Sequence, residues 1–269
     1  IYTYNKINST AIVVDHTNEL PIDYTIPETI IIDEKIYYVR AVNDKTIPLE
    51  LIAISEVKEV AVGQYVTVTG VVVDARNNGK GFYIVDGTGA IYVYDNGGKS
   101  GVGTTIAWGT KVKLTAMRSE NNGDYNKSSV QLVYAETATI IALGKEAMPL
   151  TGAQDLTITQ FKYWKGDGTE DYAGGFYKVR GYLAKYTPTG ATYTNYEVVD
   201  DAGNYIQFYA TDSTVYATEL ADYFAEGKTT TSGDTTKTTA QFDVYLAVYD
   251  RSVSKSIWRV VPLAFVEVA

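Results

Sequence analysis

The chain has 269 residues, of which 45% are hydrophobic and 20% are charged, and it contains 24 tyrosines and no cysteine. This apolar content excludes a disordered tail, and no run reaches the roughly 18 to 20 consecutive apolar residues of a membrane-spanning helix. With 23 basic and 32 acidic side chains the net charge is −9, so nonspecific attraction to a phosphate backbone or an anionic membrane is missing on average. The length favours two domains over one.

The first 48 residues predict a small β appendage at the N-terminus. Ile26–Ile30 is followed by Asp33–Val39 and by Ala41–Val42, and the region is too apolar to be a linker. These segments resemble the opening strands of leucine-rich-repeat surface proteins of gut Bacteroidetes. In such proteins further repeats follow, whereas none follow here.

Valine, threonine, isoleucine and tyrosine alternate through much of the rest, as in Tyr65–Thr69 and Ala90–Tyr94. Alternation of β-branched and aromatic residues predicts strands, because successive side chains point to opposite faces of a sheet. Gly144, Pro149 and Gly152 interrupt this pattern, so we place a domain boundary between about residues 144 and 156. The predicted domains are therefore 1–48, 49–148 and 149–269.

The second and third regions contain an internal repeat. Five segments recur in the same order: 54–57 as 158–161, 66–71 as 177–182, 83–89 as 196–203, 112–114 as 242–244, and 133–135 as 259–261. Gly70 and Gly181 occupy the same place inside their strands, where a glycine usually marks a strong bend or bulge. The repeat predicts two copies of one five-stranded unit.

The segment from Gly81 to Val93, preceded by the mid-strand Gly70, resembles OB-fold domains in exported and surface proteins of gut Bacteroidetes and in helicase- and synthetase-type nucleic-acid binders. The resemblance implies a mostly β protein with two tandem OB-like five-stranded Greek-key barrels after the N-terminal β appendage. It also implies an extracellular or outer-surface location. Whether an export signal or a lipid-bearing cysteine precedes Ile1 in the precursor is left open.

Two segments of the second copy depart from the strand pattern. Apolar residues recur at helical spacing from Thr214 to Glu226, and Gly227 can end a helix there, so we predict a helix between the third and fourth strands. Thr229–Thr239 is nearly all Thr, Ser, Gly, Asp and Lys, and its composition predicts a surface loop.

The predicted hairpins carry the candidate ligand-binding residues. A two-residue turn at Gly87-Thr88 pairs Tyr83 with Tyr92 and buries the alternate residues. The outer face then carries Tyr83, Tyr92 and Tyr94. Tyrosine rings on this face can stack on nucleobases or sugars if they are exposed, or pack against the neighbouring domain if they are covered. A three-residue turn at 201–203 pairs Val198 with Ile206 and Tyr196 with Phe208 in the second copy. The outer face of that hairpin carries Glu197, Val199, Tyr205, Gln207 and Tyr209.

Catalytic and metal-binding chemistry has little support in the sequence. There is no cysteine, and the single histidine, His16, lies at a predicted strand end, so neither a triad nor a His/Cys metal site is expected. The acidic stretches Asp167–Asp171 and Asp200–Asp201 could supply oxygen ligands, but they lack the spacing of a calcium-binding loop. We therefore predict no catalytic residue, metal or cofactor, and leave open whether calcium binds an acidic loop.

The sequence supports two main functions. The first is a non-enzymatic binding or adhesion module at the cell surface that recognises a glycan or a protein partner. The second is binding of single-stranded nucleic acid through the outer aromatic face of the first barrel, against which the negative charge argues. An accessory domain of a secreted hydrolase is a third possibility, and ligand identity and oligomeric state are left open.

Overall fold

The computed structural model describes residues 2–8, 11–16, 29–32, 35–38, 51–73, 81–121, 129–135, 137–163, 175–192, 194–208, 220–225, 227–252 and 257–268. The chain is mostly β, as predicted. Its contacts divide it into two units, Ile1–Pro48 and Leu49–Ala269. In the described residues no helix is both long and apolar enough to cross a membrane.

The first unit contains two antiparallel hairpins. One pairs β1 (Tyr2–Asn8) with β2 (Ala11–His16), and the other pairs β3 (Thr29–Ile32) with β4 (Lys35–Tyr38). The second hairpin overlaps the predicted strand segments 26–30 and 33–39, of which residues 26–28, 33, 34 and 39 lie outside the described residues. His16 is the last residue of β2, at a strand end as predicted.

A closed barrel follows in the second unit. A short 310-helix (Ile54–Glu59) precedes strands β5 (Tyr65–Val73), β6 (Gly81–Val85), β7 (Ala90–Tyr94), β8 (Thr110–Asn121), β9 (Ser129–Val133) and β10 (Thr139–Lys145). The pairing runs β5-β6-β7-β9-β8 and returns to β5, with β7 and β9 parallel and the other pairs antiparallel. This is the strand circuit of an OB-fold. β10 extends the sheet along β8.

A second sheet begins at Gln154, after the first ends at Lys145. It consists of β11 (Gln154–Asp155), β12 (Phe176–Tyr186), β13 (Asn195–Val199), β14 (Tyr205–Gln207), β15 (Thr229–Ser232), β16 (Thr235–Ser252) and β17 (Ile257–Glu267), with helix α1 (Ile158–Tyr163) before β12. The order β14-β13-β12-β16-β17 repeats that of the barrel, and a single parallel bridge joins Phe208 to Val260 where β7 and β9 pair in the first copy.

The mid-strand glycines, Gly70 and Gly181, allow the same close backbone contact in the two copies. A Cβ at Gly70 would lie 2.8 Å from the carbonyl oxygen of Val85, and one at Gly181 would lie 2.6 Å from that of Val199. Because each of these positions lacks a side chain, the hairpin backbone can approach it closely. The isoleucine that starts the preceding helical turn contacts the same spot in each copy, which supports the predicted repeat.

Two large hydrophobic clusters form the core of the second unit. One fills the barrel and includes Val68, Ile84 and Leu114. The other fills the second sheet and also contains residues from the outer face of the β6–β7 hairpin. The barrel and the second sheet are therefore joined by buried apolar surface, which favours their association.

The Thr-rich stretch 229–239 was predicted to be a loop, and this prediction was wrong. β15 pairs with the start of β16, Ser232 lies opposite Thr235, and Gly233 has a φ of +57° in the turn between them. Threonine suits exposed strands because it is β-branched, so its polarity misled the composition argument. For the helix predicted at 214–226, residues 220–223 are helical and 214–219 lie outside the described residues.

Candidate ligand-binding face

The register predicted for the first hairpin is confirmed. Val85 pairs with Ala90, and Tyr83 pairs with Tyr92. The backbone N–H of Asp86 donates to the carbonyl of Gly89, which leaves Gly87-Thr88 as the two-residue turn. The inner-face residues Phe82, Ile84, Ile91 and Val93 are each no more than 3% exposed, so the predicted sorting of the inner face is also correct.

Of the two alternatives for the outer face, exposure for ligand stacking is wrong and packing against the neighbouring region is correct. Tyr83 is 2% exposed and Tyr92 is 4% exposed, and Tyr94 is half-buried. Both buried tyrosines belong to the hydrophobic cluster of the second sheet, and Tyr94 packs against it. The rings of Tyr83 and Tyr92 contact each other, with centroids 5.4 Å apart. The three tyrosines are packing residues and cannot stack on a nucleobase or sugar without separating the two halves of the unit.

Gly81 shows how closely this surface is packed. A Cβ at Gly81 would lie 2.6 Å from the phenol oxygen of Tyr92, so the ring lies directly over the backbone of its own hairpin. β6 and β7 contain no charged residue, and a strand that is apolar on both faces is typical of one covered on both sides. The absence of charged residues from β6 and β7 was therefore the sequence signal that both faces of this hairpin are buried.

The register predicted for the second hairpin is also confirmed. Val198 pairs with Ile206, and the N–H of Phe208 donates to the carbonyl of Tyr196. Tyr205 is 52% exposed on the outer face. Tyr209, the fifth predicted binding residue, lies outside the described residues.

The outer face of this hairpin continues onto β12. Tyr186 lies opposite Asn195, and Ala184 lies opposite Glu197, which in turn pairs with Gln207. We call the resulting surface the second-hairpin face; its members are Tyr182, Ala184, Tyr186, Asn195, Glu197, Val199, Tyr205 and Gln207. Tyr186, itself 37% exposed, was missed by the sequence argument because its place depends on how β12 and β13 pair.

Polar groups occupy the middle of the second-hairpin face. The side-chain amide of Gln207 donates to the side-chain oxygen of Asn195 at 2.9 Å. Glu197 lies beside them on the same face, and its partial burial raises the pKa of its carboxyl above the ordinary value. Planar amide and carboxyl groups both accept hydrogen bonds, and the amides also donate them, which suits a ligand rich in hydroxyls.

The cations nearest to this face have partners within the chain. The guanidinium of Arg180 makes two hydrogen bonds to Asp243, at 2.7 and 3.0 Å, and this contact lowers the pKa of the Asp243 carboxyl. Lys178 Nζ lies 2.7 Å from Asp155. Lys237 Nζ lies 4.0 Å from the centroid of the Tyr182 ring. A phosphate backbone would have to compete with Asp243 for Arg180 and with Asp155 for Lys178.

Comparison with known proteins gives no family. No protein-family model matches the sequence, and no curated protein matches it. A solved structure of a replication protein A heterotrimer bound to ssDNA is similar over 87% of this chain and 73% of the other, at 12% identity and a TM-score of 0.26. A likeness at this TM-score carries no argument about function. The resemblance to Bacteroidetes surface proteins stays a prediction.

Proposed function

We propose that the chain is a non-enzymatic binding module that recognises a neutral glycan through the second-hairpin face. The observation that carries the proposal is the placing of two exposed tyrosines, Tyr205 and Tyr186, at opposite ends of a polar centre. Their rows are four residues apart along β13 and their strands are two apart, which together correspond to about 16 Å. That span suits a short oligosaccharide with its rings on the tyrosines and its hydroxyls on the polar groups between them.

Charge favours a glycan over nucleic acid as the ligand. The chain carries a net charge of −9, and Arg180, Lys178 and Lys237 beside the face already have partners. Binding of a polyanion would therefore release few counterions. A neutral glycan needs no free cation, because its affinity comes from ring stacking and hydrogen bonds.

The location belongs to the same proposal. A glycan-binding module of this kind is expected at the cell surface or outside the cell. The precursor sequence tests this expectation directly, since an export signal ahead of residue 1 supports it and a cytoplasmic start without one contradicts it.

A glycan array with the purified chain tests the ligand class. We expect the chain to bind a neutral oligosaccharide and Tyr205→Ala to weaken the affinity about tenfold. Ile141→Ala is the control: it removes another exposed apolar side chain, from β10, and should leave the affinity unchanged. We also expect little change in affinity between roughly 50 and 200 mM salt. Binding to single-stranded DNA that falls steeply with salt, or binding to no glycan at all, would contradict the proposal.

A further inference from the structure

A cavity of about 250 Å³ lies at the seam between the barrel and the second sheet. We call it the seam cavity. Its walls come from the 310-helix, β7, β11 and the start of β12, all within the second unit. Ligand sites occur preferentially at such junctions, and a cavity below the usual 300 to 1,000 Å³ range holds a ligand smaller than a typical drug molecule.

The walls of the seam cavity are fixed by backbone contacts. The N–H of Ile54 donates to the Asp86 carboxylate at 2.9 Å, and the N–H of Ser55 donates to the Thr88 hydroxyl at 3.3 Å. A Cβ at Gly152 would lie 2.5 Å from the carbonyl oxygen of Gly87, so the segment between β10 and β11 lies directly against the turn of the β6–β7 hairpin. The cavity is therefore formed before any ligand arrives, and little ordering entropy is lost on binding.

The seam cavity has an apolar floor and a polar rim. Ile91, Phe176 and Tyr177 line it from buried positions, at 3%, 4% and 5% exposure. The rim includes the Lys58 ammonium and the Gln154 amide, and both side chains are exposed to solvent. Within the described residues the Gln154 amide makes no hydrogen bond, so it is available to a ligand.

We propose that the seam cavity binds one neutral pyranose ring. A pyranose presents an apolar face to the floor and hydroxyls to the rim, where Lys58 donates and Gln154 both donates and accepts. An anionic sugar fits less well, because Glu56 and Glu59 lie on the same 310-helix and Glu59 Oε1 is 3.8 Å from Lys58 Nζ. The proposal shares its ligand class with the proposed function but uses a separate set of residues.

Titration with a panel of methyl pyranosides, followed by NMR, tests the seam cavity. We expect at least one neutral pyranoside to bind with a dissociation constant of about 1 mM, as is reasonable for so small a ligand. Gln154→Ala and Lys58→Met should each weaken binding roughly fivefold to tenfold. Lys99→Met removes an exposed lysine from the loop between β7 and β8 and should bind as the wild type does.

The variants separate this inference from the proposed function. Tyr205→Ala should leave the pyranoside-induced NMR shifts of Ile91, Gln154 and Phe176 unchanged, because Tyr205 does not line the seam cavity. The inference is overturned if no neutral pyranoside binds, if the Gln154 and Lys58 variants bind as the wild type does, or if methyl glucuronide binds more tightly than every neutral sugar. Loss of binding in Tyr205→Ala alone would assign the pyranoside to the second-hairpin face and would also overturn it.

Discussion

The β6–β7 and β13–β14 hairpins occupy the same place in two sheets that share one strand order, yet their outer faces have opposite environments. In the first, Tyr83 and Tyr92 are buried against the second sheet. In the second, Tyr205 is half exposed beside Glu197 and Gln207. Both hairpins have the predicted register, so pairing alone does not decide which face meets solvent.

The difference shows that one copy of the repeat supplies the packing surface and the other supplies the open face. The outer face of β6–β7 is apolar and aromatic, and burying it gains the free energy of removing large rings from water. The outer face of β13–β14 carries a carboxyl and two amides, which would lose hydrogen bonds to water if buried. Side-chain polarity therefore selects the buried hairpin.

Truncating the buried tyrosines should have the largest effect on stability. Tyr83→Ala or Tyr92→Ala removes a ring from a closed cluster, and we expect a loss of about 3 to 5 kcal/mol in the free energy of unfolding. Tyr205→Ala, at the equivalent outer face of the other hairpin, should change it by less than about 0.5 kcal/mol. Urea denaturation measures both, and equal losses in the two hairpins would contradict the comparison.

Alanine substitution of the mid-strand glycines tests whether the two copies share the same close backbone contact. An alanine at Gly70 or Gly181 places a methyl group 2.8 or 2.6 Å from a hairpin carbonyl oxygen, and we expect each to cost about 1 to 3 kcal/mol. Gly87→Ala is the matched control, because its nearest neighbour would be the Thr151 hydroxyl at 3.5 Å. Thermal unfolding of the three variants measures this, and a loss at only one strand position would show that the copies are not equivalent.

The smallest expected effect is a pH dependence at Glu197. Burial raises the pKa of its carboxyl in the folded state, so folding favours the protonated form and stability falls as pH rises above the unfolded-state pKa. Glu197→Gln removes that cost. It should stabilise the protein at pH 7 by less than about 1 kcal/mol, since the group is only partly buried, and should have no such effect at pH 3. Exposed Glu267→Gln is the control in melting curves at both pH values.

Much of the second unit and the β13–β14 part of the second-hairpin face could be predicted from local sequence, but the burial of the first hairpin, the place of Tyr186 and the seam cavity could not. Alternation and turn length are local, which is why the residue pairs of both hairpins were correct. Burial of Tyr83 depends on a sheet that begins 71 residues later along the chain, at Gln154, and alternation cannot report that contact. The seam cavity had no sequence signal either, because Lys58, Gln154 and Phe176 come from three separate segments.

Hydroxyl-radical labelling of tyrosine side chains, with and without a bound glycan, tests the central claim most directly. We expect Tyr205 to be labelled in the free protein and protected by the glycan, whereas Tyr83 and Tyr92 should be unlabelled in both states. Labelling of Tyr83 and Tyr92 as strong as that of Tyr205 in the free protein, with protection by the ligand at those two residues, would contradict it and would return the binding site to the first hairpin.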